Sequence, residues 1–107
     1  MVVTQIFDVL RALAENLGGV PEVDRVILFG SRARGDARER SDVDLAIEAP
    51  RADAHAWSLI VETIDESRTL LSFDVVRLER AAADFRAQIL LEGVVLFERR
   101  GVTSQSA

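Results

Sequence analysis

The sequence predicts a mixed α/β (α+β) fold in which helices pack on a small mixed β-sheet. Apolar residues recur at helical spacing in three segments, short apolar runs of strand length lie between them, and Gly18-Gly19, Gly30-Ser31, Pro50 and Gly93 stand at the joints. The order reads α-β-β-α-β-α with a short last strand.

Ile6, Val9, Leu10, Leu13 and Leu17 trace one helical face, with Thr4 as its expected N-cap and Gly18-Gly19 with Pro21 as its stop. Arg25-Val26-Ile27-Leu28-Phe29 is a continuous run ending at Gly30, the pattern of a strand covered on both faces. Ser31 to about Asp36 reads as a turn or one helical turn, and Ala37 to Ser41 as a polar loop. From Asp42 the pattern alternates: Val43, Leu45 and Ile47 point one way, Asp42, Asp44, Ala46 and Glu48 the other, until Pro50. Asp53 can cap the next helix, whose apolar face is Trp57, Ile60, Val61 and Ile64. Leu70 to Leu78 returns as a strand containing Asp74. Ala82 to Glu92 forms a further helix with Phe85, Ile89 and Leu90 inward and Gly93 as its stop. Val94 to Phe97 closes the pattern, and 99–107 reads as a flexible tail.

At 107 residues the chain fits one domain, 1–98, with a single core. No apolar run approaches the ~20 residues that span a bilayer, and the N-terminus lacks the basic and apolar stretches of a signal peptide. Without cysteine there is no disulfide or thiolate metal site. The cytoplasm is the expected compartment. A net charge of −5 argues against sequence-independent nucleic-acid binding. All thirteen basic residues are Arg, and four of them (Arg32, Arg34, Arg38 and Arg40) cluster beside the Gly-Ser turn, where guanidinium groups could pair with phosphate or simply line a solvated loop.

Chemistry concentrates in two places. Gly30 permits close backbone approach and Ser31 adds a hydroxyl, so the turn can hold phosphate, with Arg32 or Arg34 offsetting charge on a leaving pyrophosphate. Asp42 and Asp44 lie two strand steps apart on one face and repel each other unless a cation intervenes. Mg²⁺ prefers such oxygens and completes its shell with substrate phosphates; two ions can stabilise both attacking and leaving oxygens. Asp74 sits mid-strand among apolar residues, where an unpaired carboxylate is costly. If its strand adjoins that of Asp42 and Asp44, three carboxylates converge, with Asp74 a metal ligand or base. Alone, it could instead be satisfied by Arg77 or Arg25. Each piece by itself is a common turn or charged face, whereas strand, Gly-Ser, ten residues, Asp-x-Asp and a later strand Asp form a specific combination. His55 and Trp57 read as exposed and as core or partner-facing, and Asp24, Asp36 and Glu48 as surface charges.

These residues resemble the DNA polymerase β-like nucleotidyltransferase superfamily, whose signature is Gly-Ser, about ten residues, then Asp-x-Asp or Asp-x-Glu. Phe29-Gly-Ser-Arg-Ala-Arg-Gly35, Ser41-Asp-Val-Asp-Leu-Ala-Ile47 and Phe73-Asp74-Val75-Val76 resemble its minimal nucleotidyltransferase (MNT) proteins. The resemblance implies the polymerase β-like fold and transfer of AMP from ATP with Mg²⁺. It implies Asp42 and Asp44 as metal ligands, Asp74 as a metal ligand or base, and Gly30 and Ser31 as triphosphate contacts. It also implies the antitoxin half of a HEPN–MNT pair, in which the acceptor is a tyrosine of the HEPN ribonuclease. Larger superfamily members carry acceptor-gripping domains for which this length leaves no room, so a protein acceptor in a hetero-oligomer is expected. Transfer to a small molecule or RNA end, and neutralisation by binding without catalysis, are the competing readings.

Overall fold

The computed structural model describes residues 3–35, 42–67 and 72–100. Helix α1 (Val3–Gly18) leads to strand β1 (Arg25–Phe29), the single turn α2 (Ser31–Arg34) and β2 (Val43–Glu48). Then come α3 (Ala54–Asp65), β3 (Phe73–Arg77), a 3₁₀ turn at Leu78–Arg80, α4 (Ala83–Glu92) and β4 (Val94–Glu98). The expected order of elements is the observed one. Thr4 lies inside α1 instead of capping it, whereas Asp53 caps α3 by accepting the Ala56 N–H at 2.8 Å. The expected Leu70–Leu78 strand is shorter, because Leu78 opens the 3₁₀ turn and Leu70 and Leu71 lie outside the described residues.

The four strands lie in the order β3-β2-β1-β4. β1 is antiparallel to β2 and β4, and β2 is parallel to β3, which the chain reaches through α3. Alternation divides the sheet into two unequal faces. Val26, Leu28, Val43, Leu45 and Ile47 join Leu10, Leu13 and Leu17 of α1 and Ile60 and Ile64 of α3 in the main core. The opposite face buries a smaller set, Ile27 and Ala46 with Leu78 and Ile89. That second face is only partly roofed, and it is the one carrying Asp44.

This thin roof explains where the sequence expectation fails. Ile89 of α4 is buried, but Phe85 and Leu90 are exposed. A short helix covering one strand has room for few inward side chains. On the main-core side Val61 of α3, also expected inward, is exposed because it lies one residue round the helix from the buried Ile60. Gly93 ends α4 in extended backbone (φ −74°, ψ 159°), not as a left-handed stop. A Cβ there would collide with Ile27 and the Ile89 carbonyl, so the glycine serves close packing of α4 on β1.

Arginines hold the loops. Arg77 donates to the Ala49 and Ala52 carbonyls at 2.9 and 2.7 Å, pairs with Glu79 and stacks on Trp57. Trp57 packs against the main core, and His55 is exposed. Asp24, expected at the surface, is buried and pairs with Arg51 at 2.9 Å, and Glu48 forks onto Arg25 at 2.7 and 3.0 Å. Arg99, expected in a loose tail, is anchored: its guanidinium donates to Val23, Gly18 and Val20 carbonyls at 2.9, 2.8 and 3.0 Å. Arg99→Ala leaves three carbonyls of the α1–β1 turn without this donor, and should lower stability by about 2 kcal/mol, measured by urea unfolding.

Candidate active site

The end of β1 sets the site. Gly30 adopts φ 75°, ψ −154°, a conformation open to glycine and little else. It turns the chain sharply into α2, where the amides of Ala33 and Arg34 return to the Gly30 carbonyl at 3.1 Å each. The Ser31 N–H, ahead of them, belongs to the donors that a helix start leaves without intrahelical partners. Gly35 (φ 82°, ψ 12°) closes the turn. One helical turn held between two left-handed glycines therefore presents Ser31 at the sheet end.

Asp44 lies beside it. In the sheet register Asp44 opposes Phe29 on β1 and Asp74 on β3, so it is central and shares a face with both. Its carboxylate crowds the turn so closely that a Cβ on Gly30 would collide with Asp44 Oδ2. Asp42 is exposed one residue ahead of β2, where the Val43 N–H donates to Ser72 at 2.7 Å and ties the two parallel strands at this end. The Asp44 carboxyl is pushed above the ordinary carboxylate range, first by burial, then by the charges of Asp74 and Asp42, with Arg34 opposing.

Asp74 is exposed on the outer strand β3. The burial cost expected for it is absent, because its face of the sheet has no roof at this point. Neither arginine named for it is its partner: Arg77 pairs with Glu79 and Arg25 with Glu48. The register does bring Asp74 beside Asp44, as the strand order required. Among the described residues, however, no three acidic, histidine or cysteine side chains stand close enough together to enclose an ion. Oxygen-only donors, two of them acting electrostatically on a half-buried third, fit a hard divalent cation that takes the rest of its shell from phosphate and water.

Arg32 and Arg34 follow Ser31 on α2, and Arg34 approaches Glu92 at 3.9 Å. Arg38 and Arg40, with Asp36 and Ser41, lie outside the described residues. Phe85 and Gln88 of α4 were not expected near the site. They line a pocket of about 190 Å³ with Phe29 and Gly30, and the Phe29 and Phe85 rings meet edge to face at 5.7 Å. Gly93, which halts α4 against β1, was the only local signal for this placement. A larger depression of about 610 Å³ runs along α3 from Trp57 to Glu66, but shares no residue with the turn or the aspartates.

The family model described as polymerase beta, nucleotidyltransferase, matches residues 11–101. The chain belongs to that family. Two Methanocaldococcus jannaschii proteins, both provisionally named protein adenylyltransferases, are similar to it. One is 42% identical over 45 residues, 40% of this chain and 46% of the relative, so the match spans about half of that relative's length. The other is 31% identical over 72 residues, 67% of this chain and 72% of the relative. Among solved structures, a toxin–antitoxin crystallised with AMP-PNP is 25% identical, with 94% of this chain and 76% of that one covered and a TM-score of 0.56. The site described above is thus carried on a nucleotidyltransferase domain.

Proposed function

We infer that this chain transfers AMP from ATP, with Mg²⁺, to a hydroxyl of a partner protein, and that the acceptor is a tyrosine of a HEPN-type toxin ribonuclease which it thereby silences as an antitoxin. The observation that carries the reading is Asp44, held in register between the Gly30 turn and Asp74. The provisional names of the relatives and the AMP-PNP-bound toxin–antitoxin support the nucleotide and the setting.

In this reading Gly30 and Ser31 hold the β- and γ-phosphates by main-chain N–H and hydroxyl donors, with Arg32 and Arg34 beside them. Asp42 and Asp44 would hold the metal, with Asp74 either completing the set or left free as the base. Bound there, divalent metal would neutralise charge on the phosphates and activate the attacking oxygen. Asp74, exposed at the sheet edge, accepts the proton of the incoming hydroxyl, and pyrophosphate leaves from the Gly30 side. The open edge at β3 leaves room for a side chain presented by another protein. No helix among the described residues is long and apolar enough to cross a membrane, and we assign the reaction to the cytoplasm without direct nucleic-acid binding.

The partner is sought in the adjacent reading frame, as a small helical protein carrying an Arg-x₄-His motif. Incubated with this chain, ATP and Mg²⁺, it should gain AMP-sized mass increments by intact-mass spectrometry, and Asp42→Asn should slow the gain by roughly 100-fold or more. A partner that gains no mass, or gains it equally with Asp42→Asn, contradicts the assignment. Protection from toxicity by stoichiometric Asp42→Asn protein would instead identify neutralisation by binding.

A further inference from the structure

The sheet has two outer strands, and they are built differently. β3 carries Asp74 and Arg77 among its five residues, the kind of charge that keeps edge strands from pairing indiscriminately. β4 runs Val94-Val95-Leu96-Phe97 before its first charge, Glu98. Its inner edge pairs with β1, and among the described residues no strand pairs with its outer edge. Val95 is 49% exposed, and Leu91, four residues earlier at the end of α4, is 84% exposed. α4 therefore buries Ile89 on one side while showing Leu90 and Leu91 on the other. Exposed leucines at the end of a helix, followed along the chain by an apolar open edge, make a surface that calls for a cover.

We propose that a second copy of this chain covers it, through antiparallel pairing of β4 with β4 across a two-fold axis near Leu96. The charges select both the occupant and the direction. Glu92, the last residue of α4, stands two residues before the strand, with Arg34 3.9 Å from its carboxylate, and Arg100 stands two residues after it; both are exposed. Antiparallel pairing about Leu96 brings Arg100 of each copy to the Glu92 end of the other, and sets each Glu98 against Val94 instead of against another charge. Parallel pairing would stack Glu92 on Glu92 and Glu98 on Glu98. The symmetric arrangement uses the same patch twice, as a closed dimer requires. β4 lies three inter-strand spacings of about 4.8 Å from β3, so the joined sheet keeps both Asp74 edges open at its far ends.

Sedimentation of the whole chain across a concentration series tests this. The parent should reach the mass of a dimer. Val95→Lys should be monomeric throughout, with an unchanged circular dichroism spectrum because the side chain is exposed. Arg100→Glu should weaken association by about tenfold, and Glu92→Arg added to it should restore association. A parent that stays monomeric at every concentration overturns the proposal, and so does a dimer that survives Val95→Lys. Association indifferent to both charge changes overturns the antiparallel register. A parent that is monomeric, but dimerises once shortened after Arg100, assigns the surface to residues 101–107 instead.

Discussion

Asp44→Asn should reduce nucleotidyl transfer by roughly 10²–10³-fold or more while leaving the metal-free protein at least as stable as the parent. The two effects have one origin. Asp44 is half-buried, and Asp74 and Asp42 act on it with like charge, so its carboxyl is held above the ordinary carboxylate range. A carboxyl whose value is raised on folding favours the fold only when protonated. Its contribution is fully present below the unfolded value and is lost as pH rises through the folded one. At neutral pH the metal-free fold therefore carries an electrostatic penalty at Asp44, which asparagine removes at nearly constant shape. Thermal unfolding should accordingly show two trends in the parent. Acidification through the carboxylate range should relieve part of the penalty before other groups unfold the protein. Adding Mg²⁺ at neutral pH should raise the melting temperature, and that increment should shrink on acidification and be lost in Asp44→Asn. A destabilised Asp44→Asn protein, measured without metal, would contradict the electrostatic account.

Gly30→Ala should be the most damaging single-methyl change in the site. The backbone at φ 75°, ψ −154° costs a non-glycine residue about 1–3 kcal/mol. The added Cβ would also collide with the Asp44 carboxylate. We expect a loss of about 2 kcal/mol or more in urea unfolding, together with a fall in activity comparable to that of Asp44→Asn, because either the turn or the carboxylate must move. Gly35→Ala is the control. Gly35 has φ 82°, but nothing lies within 4 Å of its added Cβ, so only the conformational cost of about 1–2 kcal/mol applies. Activity per folded molecule should be retained. If Gly35→Ala abolishes transfer as fully as Gly30→Ala, the contact between Gly30 and Asp44 does not explain the requirement for glycine.

The two halves of the site differed in how far the sequence revealed them. The Gly30 turn and the alternation of Val43 to Ile47 are local patterns, and the structure shows both as read, with the added fact that β1 and β2 are paired. Asp74 carried no such local guide: that β3 lies beside β2, with Asp74 opposite Asp44, is decided by α3 and the core beneath it. The cost expected for an unpaired Asp74 is absent, since its apolar neighbours Phe73 and Val75 do not reveal whether a roof exists above the strand. α4 misled for a related reason, since its apolar residues surround the helix and only packing selects Ile89. The arginine clamps were invisible because their partners are main-chain carbonyls far along the chain, as with Arg99 and Gly18.

Labelled ATP tests the central claim most directly, namely that Asp42, Asp44 and Asp74 with the Gly30 turn form a metal-dependent site attacking the α-phosphate. With Mg²⁺ and the partner protein, label in the α-phosphate should pass to the partner and label in the γ-phosphate should leave with pyrophosphate, while Asp44→Asn transfers neither. Transfer of γ-label, or α-label transfer that survives either Asp44→Asn or removal of divalent metal, would contradict it.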